Sequence, residues 1–259
     1  MLSRKAVLFI LALLIIQANV RWANGFSGAQ LVDPLASKPV TIDGKWTTPD
    51  EWSDAVGVTM FLGLNSNYGN GTAYLYAKHD ANNFYFLIDY VSATTLYPND
   101  SVALEIDPLH DGGNIPQPDD RYIYSIYPSG GGMINGTGGN DWSCCSYLPA
   151  GVKVAMSMNT SPNLPQPHEI TEIQIPFSIF PGLQDTIGFA AAAITGIGAA
   201  GRLAIWPHNY YRNIPNTFGE LTISPNPTPI PEFNGIWLLV TTILLATMAI
   251  GLLRRKFTF

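Results

Sequence analysis

The sequence predicts an all-β protein, an antiparallel β-sandwich of jelly-roll or immunoglobulin-like type, set between an N-terminal signal peptide and one C-terminal transmembrane helix. Three observations carry the β assignment. Ala73–Val91 holds two aromatic-rich runs around the polar bend His79-Asp80-Ala81-Asn82-Asn83, the pattern of a hairpin. Asp100–Asp107 and Tyr122–Tyr127 alternate between apolar and other residues with the period of a strand. Glycine (24) and proline (20) are plentiful while charged residues make up 12%, and no stretch shows the 3.6-residue periodicity of an amphipathic helix.

The segment 1–25 opens with Arg4-Lys5, continues through the apolar run Ala6–Ile16 and ends at Ala23-Asn24-Gly25. A basic start, a short apolar run and small residues at the cut describe a secretory signal peptide. Eleven apolar residues at about 1.5 Å each are too few to span about 30 Å of hydrocarbon. Residues 26–39 read as an exposed lead-in.

The domain proper is expected over 40–223. In the hairpin's second run, Phe84, Phe86, Ile88 and Tyr90 face one way and Tyr85, Leu87, Asp89 and Val91 the other. Only Asp89 interrupts the apolar character, which predicts a central strand covered on both faces. An acidic loop, Pro108–Arg121, separates two alternating strands. A long glycine-rich stretch, Pro128–Gly151, follows, then strands at Val152–Met158 and Glu169–Ile175 and one helical turn at Pro176–Phe180. Ile187–Ile194 is apolar throughout, as in a buried strand. Arg202–Trp206 and Glu220–Ile223 complete nine or ten strands. The adjacent Cys144-Cys145 can form a strained vicinal disulfide, bridge to another chain or stay unpaired; they do not staple the fold.

Beyond the domain, Ser224–Pro231 is a proline-rich linker expected to be extended, and the linker region 224–233 ends on Pro231-Glu232-Phe233. The segment 234–253 contains eighteen uncharged residues, Ile236–Leu253, with Trp237 at its start, and Arg254-Arg255-Lys256 opens the basic tail 254–259. That is a transmembrane helix with its tail kept cytoplasmic by the positive-inside rule, so the domain faces outward at the cell surface. The ordered Pro-Glu-Phe motif, helix and basic end resembles the PEF-CTERM sorting signal of archaeal surface proteins. That resemblance implies an archaeosortase-type processing partner recognising Pro231, Glu232 and Phe233.

A second resemblance covers residues 40–223. Ile42-Asp43-Gly44, Trp52, Ala55, Asp80–Asp89, Asp100–Asp107, Glu172–Phe177, Ile187-Gly188-Phe189 and Phe218-Gly219-Glu220-Leu221 occur in the order seen in family 9 carbohydrate-binding modules. The same order suits the wider DOMON-like group of sugar- and haem-binding sandwiches. It implies a binding module with these positions as core and turn residues, and structural calcium. Haem is the group's other ligand, for which Met60, Met156, Met158, His79 and Lys78 are the available axial residues. The absence of Cys-x-x-Cys-His excludes covalent attachment.

Sugar binding needs aromatic plates for the ring's C–H face and polar groups for its hydroxyls. Trp142, Trp206, His208, Tyr210, Tyr211 and Arg212 lie in or beside predicted loops and are the carbohydrate-binding candidates. Asp107, Asp111, Asp119 and Asp120 crowd one flexible loop and could supply hard oxygen ligands to Ca²⁺. Asn70, Asn99, Asn135 and Asn159 each begin a glycosylation acceptor triplet.

All 19 acidic residues lie between Asp33 and Glu232, whereas seven of the 13 basic residues fall within 26–235. Such a surface repels nucleic acid. His168-Glu169-Ile170-Thr171-Glu172 begins like a zinc-protease motif but ends in Glu on a strand pattern. No nucleophile-elbow or phosphate-loop motif occurs. The expected protein is therefore a non-catalytic, cell-surface module whose partner is a glycan. The alternatives are a structural envelope protein that contacts its S-layer neighbours and a haem-binding electron-transfer domain.

Overall fold

A computed structural model describes residues 26–61, 69–139, 141–143, 147–195 and 202–226. The signal-peptide, transmembrane, sorting-motif and cysteine-pair expectations (1–25, 234–253, 231–233 and 144–145) lie outside the described residues. Strands are β1 (Gln30–Pro34), β2 (Val56–Met60), β3 (Gly69–Asn70), β4 (Ala73–His79), β5 (Asn83–Tyr90), β6 (Ser101–Asp107), β7 (Arg121–Ile126) and β8 (Gly130–Asn135). They continue with β9 (Lys153–Ser161), β10 (Leu164–Pro176), β11 (Thr186–Thr195), β12 (Arg202–Trp206) and β13 (Gly219–Ser224). Single 3₁₀ turns at Phe177–Ile179 and Pro215–Thr217 are the helical structure among the described residues.

Two sheets face each other. One runs β1-β13-β11-β6-β7-β8, with β12 also paired to β11 and β3 to β12; the other runs β2-β4-β5-β10-β9. Pairings are antiparallel except β1 with β13 and β3 with β12. One edge of β11 is divided: β13 takes Thr186–Phe189 and β12 takes Ala191–Thr195.

The hairpin forms as expected, because Asp80 Oδ1 accepts the N–H groups of Asn82 and Asn83 at 2.7 and 2.8 Å and closes the turn. Its inward row, Phe84, Phe86, Ile88 and Tyr90, enters the core between the sheets. There Phe86 stacks on Phe189 of the other sheet at 4.9 Å and 10°. Complete burial of such a side chain contributes about 1.5–3 kcal/mol.

The outward row of β5 is buried as well. Leu87 packs with Trp52 and Ile170, and Val40, Trp46, Ala55, Tyr76 and Tyr85 close over them. The cover is the irregular segment 36–55, whose backbone N–H groups would be orphaned without acceptors. Three carboxylates supply them. Glu172 Oε2 accepts from Asp43 and Gly44 at 2.9 Å each and from Lys45 at 3.4 Å, while its Oε1 accepts Trp52 Nε1 at 3.0 Å. Glu51 accepts from Thr41 and Thr47 at 2.8 Å each. Asp54 accepts from Ser37 at 2.6 Å and Lys38 at 2.8 Å.

Lys78, fully buried, completes the arrangement: its ammonium meets Asp54 at 2.7 Å and also donates to the Lys38 and Glu51 carbonyls. Burial opposes charge on Asp54, but the bonds from Lys78 and Ser37 prevail and hold its carboxyl below the usual range. Gly44 stands at φ +77, where a Cβ would approach the Met156 and Ser157 backbone to 3.0 Å, so the turn admits glycine alone.

Asp89 has its explanation here. It pairs with His168 Nε2 and accepts from Ser161 Oγ and Asn163 Nδ2 at 2.7 Å each, tying β5 to β9 and β10.

Two expectations are corrected. The segment 26–39 is not simply an exposed lead-in: Gln30–Pro34 extends the sheet beside β13, with Leu31 and Asp33 buried. The glycine-rich stretch after Pro128 contains β8, whose Gly130-Gly131-Gly132 pair with β7 through backbone alone. Replacing Glu172 by Ala leaves several buried donors without an acceptor. The expected cost is about 3 kcal/mol of stability in urea unfolding.

Candidate functional site

The eight-stranded sheet keeps its outer face partly open, and a groove of about 570 Å³ lies there. Strand parity builds it. On β6, Val102 and Leu104 point inward, so Ala103 and Ser101 point out; on β11, Ala192 and Ile194 do the same. Ala103 and Ala192 are cross-strand partners, and two methyl side chains in adjacent positions create the depression. Leu203 and Ile205 of β12 extend the floor, while Tyr122 and Tyr124 of β7 rise along one side. The loop after β12 returns over the groove with Tyr210, Tyr211 and Arg212.

Polar groups gather where that loop meets β6. Tyr210 Oη donates to Glu105 Oε1, and Arg212 lies 4.6 Å from the centroid of the Tyr122 ring. Burial pushes the Glu105 carboxyl up to about 7, against the Tyr210 bond, the Arg212 charge and the Asn213 N–H. Glu105 Oε2 has no hydrogen-bond partner among the described residues. Trp142 supports the constellation from below. Its Nε1 donates to Asn213 Oδ1, and its ring lies 5.5 Å from that of Tyr122.

The sequence-selected residues therefore divide. Tyr210, Tyr211 (42% exposed) and Arg212 are at the groove. Trp142 is 6% exposed and holds Tyr122 and Asn213 in place. His208 is exposed and meets Phe61 edge-on at 5.5 Å, with neither residue lining the groove. Trp206 is corrected: it is 4% exposed, on the inward face of β12, 5.8 Å from Phe189. Its ring also fills the space a Cβ at Gly219 would need, so it has no free face for a ligand. Tyr122, Tyr124 and Glu105 were not selected from sequence. Their shared outward face follows from the alternation of β6 and β7, which was the available signal.

The acidic loop is tightly built. One carboxylate oxygen from each of Asp107, Asp111 and Asp119 falls within 4.8 Å of the others. Asp107 Oδ2 accepts from Gly112 at 2.8 Å, and Asp120 Oδ2 accepts from Gln117 at 2.6 Å. Asp119 Oδ2 and Asp120 Oδ1 are buried without a partner among the described residues. Burial, then the neighbouring aspartates, push Asp107 up to about 6 and Asp120 up to about 8, and Asp111 rises as well. Oxygen donors alone, with two left unpaired, suit a hard divalent cation such as Ca²⁺. The loop also reaches the groove's own loop. Gly113 N–H donates to Asn216 Oδ1 at 2.8 Å, and Asn216 N–H donates to the Gly113 carbonyl at 2.9 Å.

The residues considered for haem are elsewhere. Met60 is core, Lys78 serves Asp54, His79 faces Asp33 at 3.1 Å, and Met156 packs against the core from β9. None of these, nor Met158, lines the groove. Among glycosylation candidates, Asn99 and Asn135 are exposed, and Asn159 is half-buried with its Oδ1 accepting the Thr160 N–H. Asn70 lies in β3.

Solved structures share this architecture. A family 9 carbohydrate-binding module from Caldicellulosiruptor kristjanssonii in complex with cellotriose aligns at TM-score 0.52 and 18% identity, over 75% of this chain and 93% of that one. A family 9 module from the same organism in complex with glucose aligns at 0.50 and 19%, over 79% and 99%. A putative carbohydrate-binding protein from Bacteroides uniformis aligns at 0.55 and 13%, over 76% and 100%. The likeness is one of fold. No protein-family model matches the chain, and no curated protein matches it in sequence.

Tyr210→Phe removes a hydroxyl from a buried carboxyl. It should cost about 1–3 kcal/mol of stability in denaturant unfolding, whereas Tyr211→Phe at the exposed rim should change it by less than about 0.5 kcal/mol.

Proposed function

We propose that this chain is a non-catalytic, cell-surface binding module that holds carbohydrate in the groove on the outer face of its eight-stranded sheet. The observation that carries the reading is the groove itself, about 570 Å³ with four tyrosines and Arg212 around an aliphatic floor. Small-molecule sites usually run to about 300–1,000 Å³, apolar with a few placed polar groups. A pyranose has that same division: axial C–H groups for the tyrosine rings and equatorial hydroxyls for Arg212 and the tyrosine hydroxyls. The fold shared with modules solved in complex with cellotriose and glucose supports the same ligand class.

Calcium belongs to this reading as a structural ion held by Asp107, Asp111, Asp119 and Asp120. It would neutralise the acidic loop, which Asn216 joins to the loop carrying Tyr210, Tyr211 and Arg212. Anchoring through residues 224–259, processing at Pro231-Glu232-Phe233 and glycans on Asn99 and Asn135 would display the groove outward.

A glycan array probed with the full-length protein tests the ligand. Saturable binding is expected, weakened roughly tenfold or more by Tyr124→Ala and by Tyr211→Ala, equivalent to about 1.4 kcal/mol. A silent array, or binding indifferent to both changes, would leave a structural envelope role as the better account. Trp206→Ala is not a ligand probe, since truncating a core Trp costs about 3–5 kcal/mol.

The loop also makes a pH prediction. Asp107 and Asp120 titrate higher folded than unfolded, so the folded state binds more protons between about pH 4 and pH 8. Stability of the chelator-treated protein should fall as pH rises through that window. Added calcium should raise the melting temperature most at its upper end. An unchanged melting temperature at pH 8 would reject the ion.

A further inference from the structure

A second set of oxygen ligands is enclosed between the sheets, at the far end of the sandwich from the acidic loop. On β10, Ile173 and Ile175 enter the core, so Thr171 and Glu169 continue the same inward row back to the middle of the strand. On the facing sheet, Val102 points inward, and Asp100 immediately before β6 follows its parity. Ser101 pairs with Ile194, and one step further along the antiparallel register Asp100 stands beside Thr195. Glu169, Thr171 and Asp100 are wholly buried, and Thr195 is 4% exposed.

Three of these groups are incompletely satisfied. Both carboxylate oxygens of Glu169, the Thr171 hydroxyl and the Thr195 hydroxyl have no hydrogen-bond partner among the described residues. Asp100 Oδ2 accepts the Tyr97 N–H at 2.6 Å, and its charge lies close enough to Glu169 for the two to repel. A buried polar group without a partner costs about 1–3 kcal/mol, and Glu169 also faces the Asp100 charge.

Three occupants could resolve the conflict. A proton on Glu169 would remove one charge, but the Thr171 and Thr195 hydroxyls would still lack partners among the described residues. Water would bond to the oxygens while leaving two negative charges together. A cation satisfies charge and lone pairs at once. The donors are carboxylates and hydroxyls without sulfur or imidazole, which selects a hard ion, and Ca²⁺ accepts six to eight oxygens in flexible geometry.

We propose that Glu169, Asp100, Thr171 and Thr195 hold a calcium ion between the two sheets, separate from the acidic loop on the outer face. It would lock the middle of β10 to the start of β6 and the end of β11. This proposal does not depend on carbohydrate binding.

Metal analysis of the full-length protein, dialysed against calcium and then against metal-free buffer, is the test. Glu169→Gln should lose about one bound calcium per chain relative to the unaltered protein. Asp111→Asn/Asp119→Asn should retain the inter-sheet ion. In chelator, Glu169→Gln should melt higher than the unaltered protein, because it removes the repulsion with Asp100, and calcium should then stabilise it less. Thr171→Val/Thr195→Val removes two ligands while preserving the side-chain shape. If Glu169→Gln does not fold, this second variant should show the same loss of calcium. The proposal is overturned if neither inter-sheet variant changes the metal count, or if the unaltered protein binds no calcium beyond that lost with Asp111 and Asp119.

Discussion

The structure depends on covering the outer face of the five-stranded sheet. Strand β5 is apolar on both sides, with Leu87 outside and Phe86 inside, so a sheet bare on that face would expose its most hydrophobic strand. The segment 36–55 covers it without helix or strand, and irregular backbone can be buried only if its N–H groups find acceptors. Glu51, Asp54 and Glu172 are those acceptors, and buried Lys78 offsets part of their charge. Among the described residues the opposite sheet has no equivalent cover. Its outer face stays open at Ala103 and Ala192, and the groove is what remains.

Much of the chain's acidity is thus internal. Asp33, Asp89, Asp100, Asp107 and Asp120 are all fully buried, as are Glu169 and Glu172. Some grip backbone N–H groups, as Glu172 does. Others face ion partners, as Asp89 faces His168. A third group converges in the acidic loop and between the sheets. The formal charge of −6 therefore describes the inside of the molecule as much as its surface.

The fold was legible where side chains alternate. The hairpin, β6, β7, β11, β12 and β13 all emerge from periodicity and turn residues within a residue or two of their observed limits. Strands without that signal were missed. The Gly-Gly-Gly start of β8 has no side chains to alternate, and β1 places Asp33 inward where an apolar residue would have marked the face. The candidate site was half visible. Tyr210, Tyr211 and Arg212 stand out as an aromatic and basic loop, but Tyr122, Tyr124 and Glu105 become one surface only when β6 and β7 are set side by side. Trp206 was misread because the aromatic run after it suggested a loop. As the residue two after Ala204 it belongs to the inward face of β12.

The divided edge of β11 has a consequence for variation. Its first four residues are claimed by β13 and its last five by β12, so the two partners do not share a single hydrogen bond with each other along that edge. The loop that runs between them, with Tyr210, Tyr211 and Arg212, leaves one short partner and returns as another. Changes at its exposed positions, such as Tyr211, leave both pairings intact, whereas Tyr210 and Asn213 are tied to Glu105 and Trp142. The scaffold can therefore vary the exposed rim of its groove residue by residue while β1, β13 and the core keep their registration.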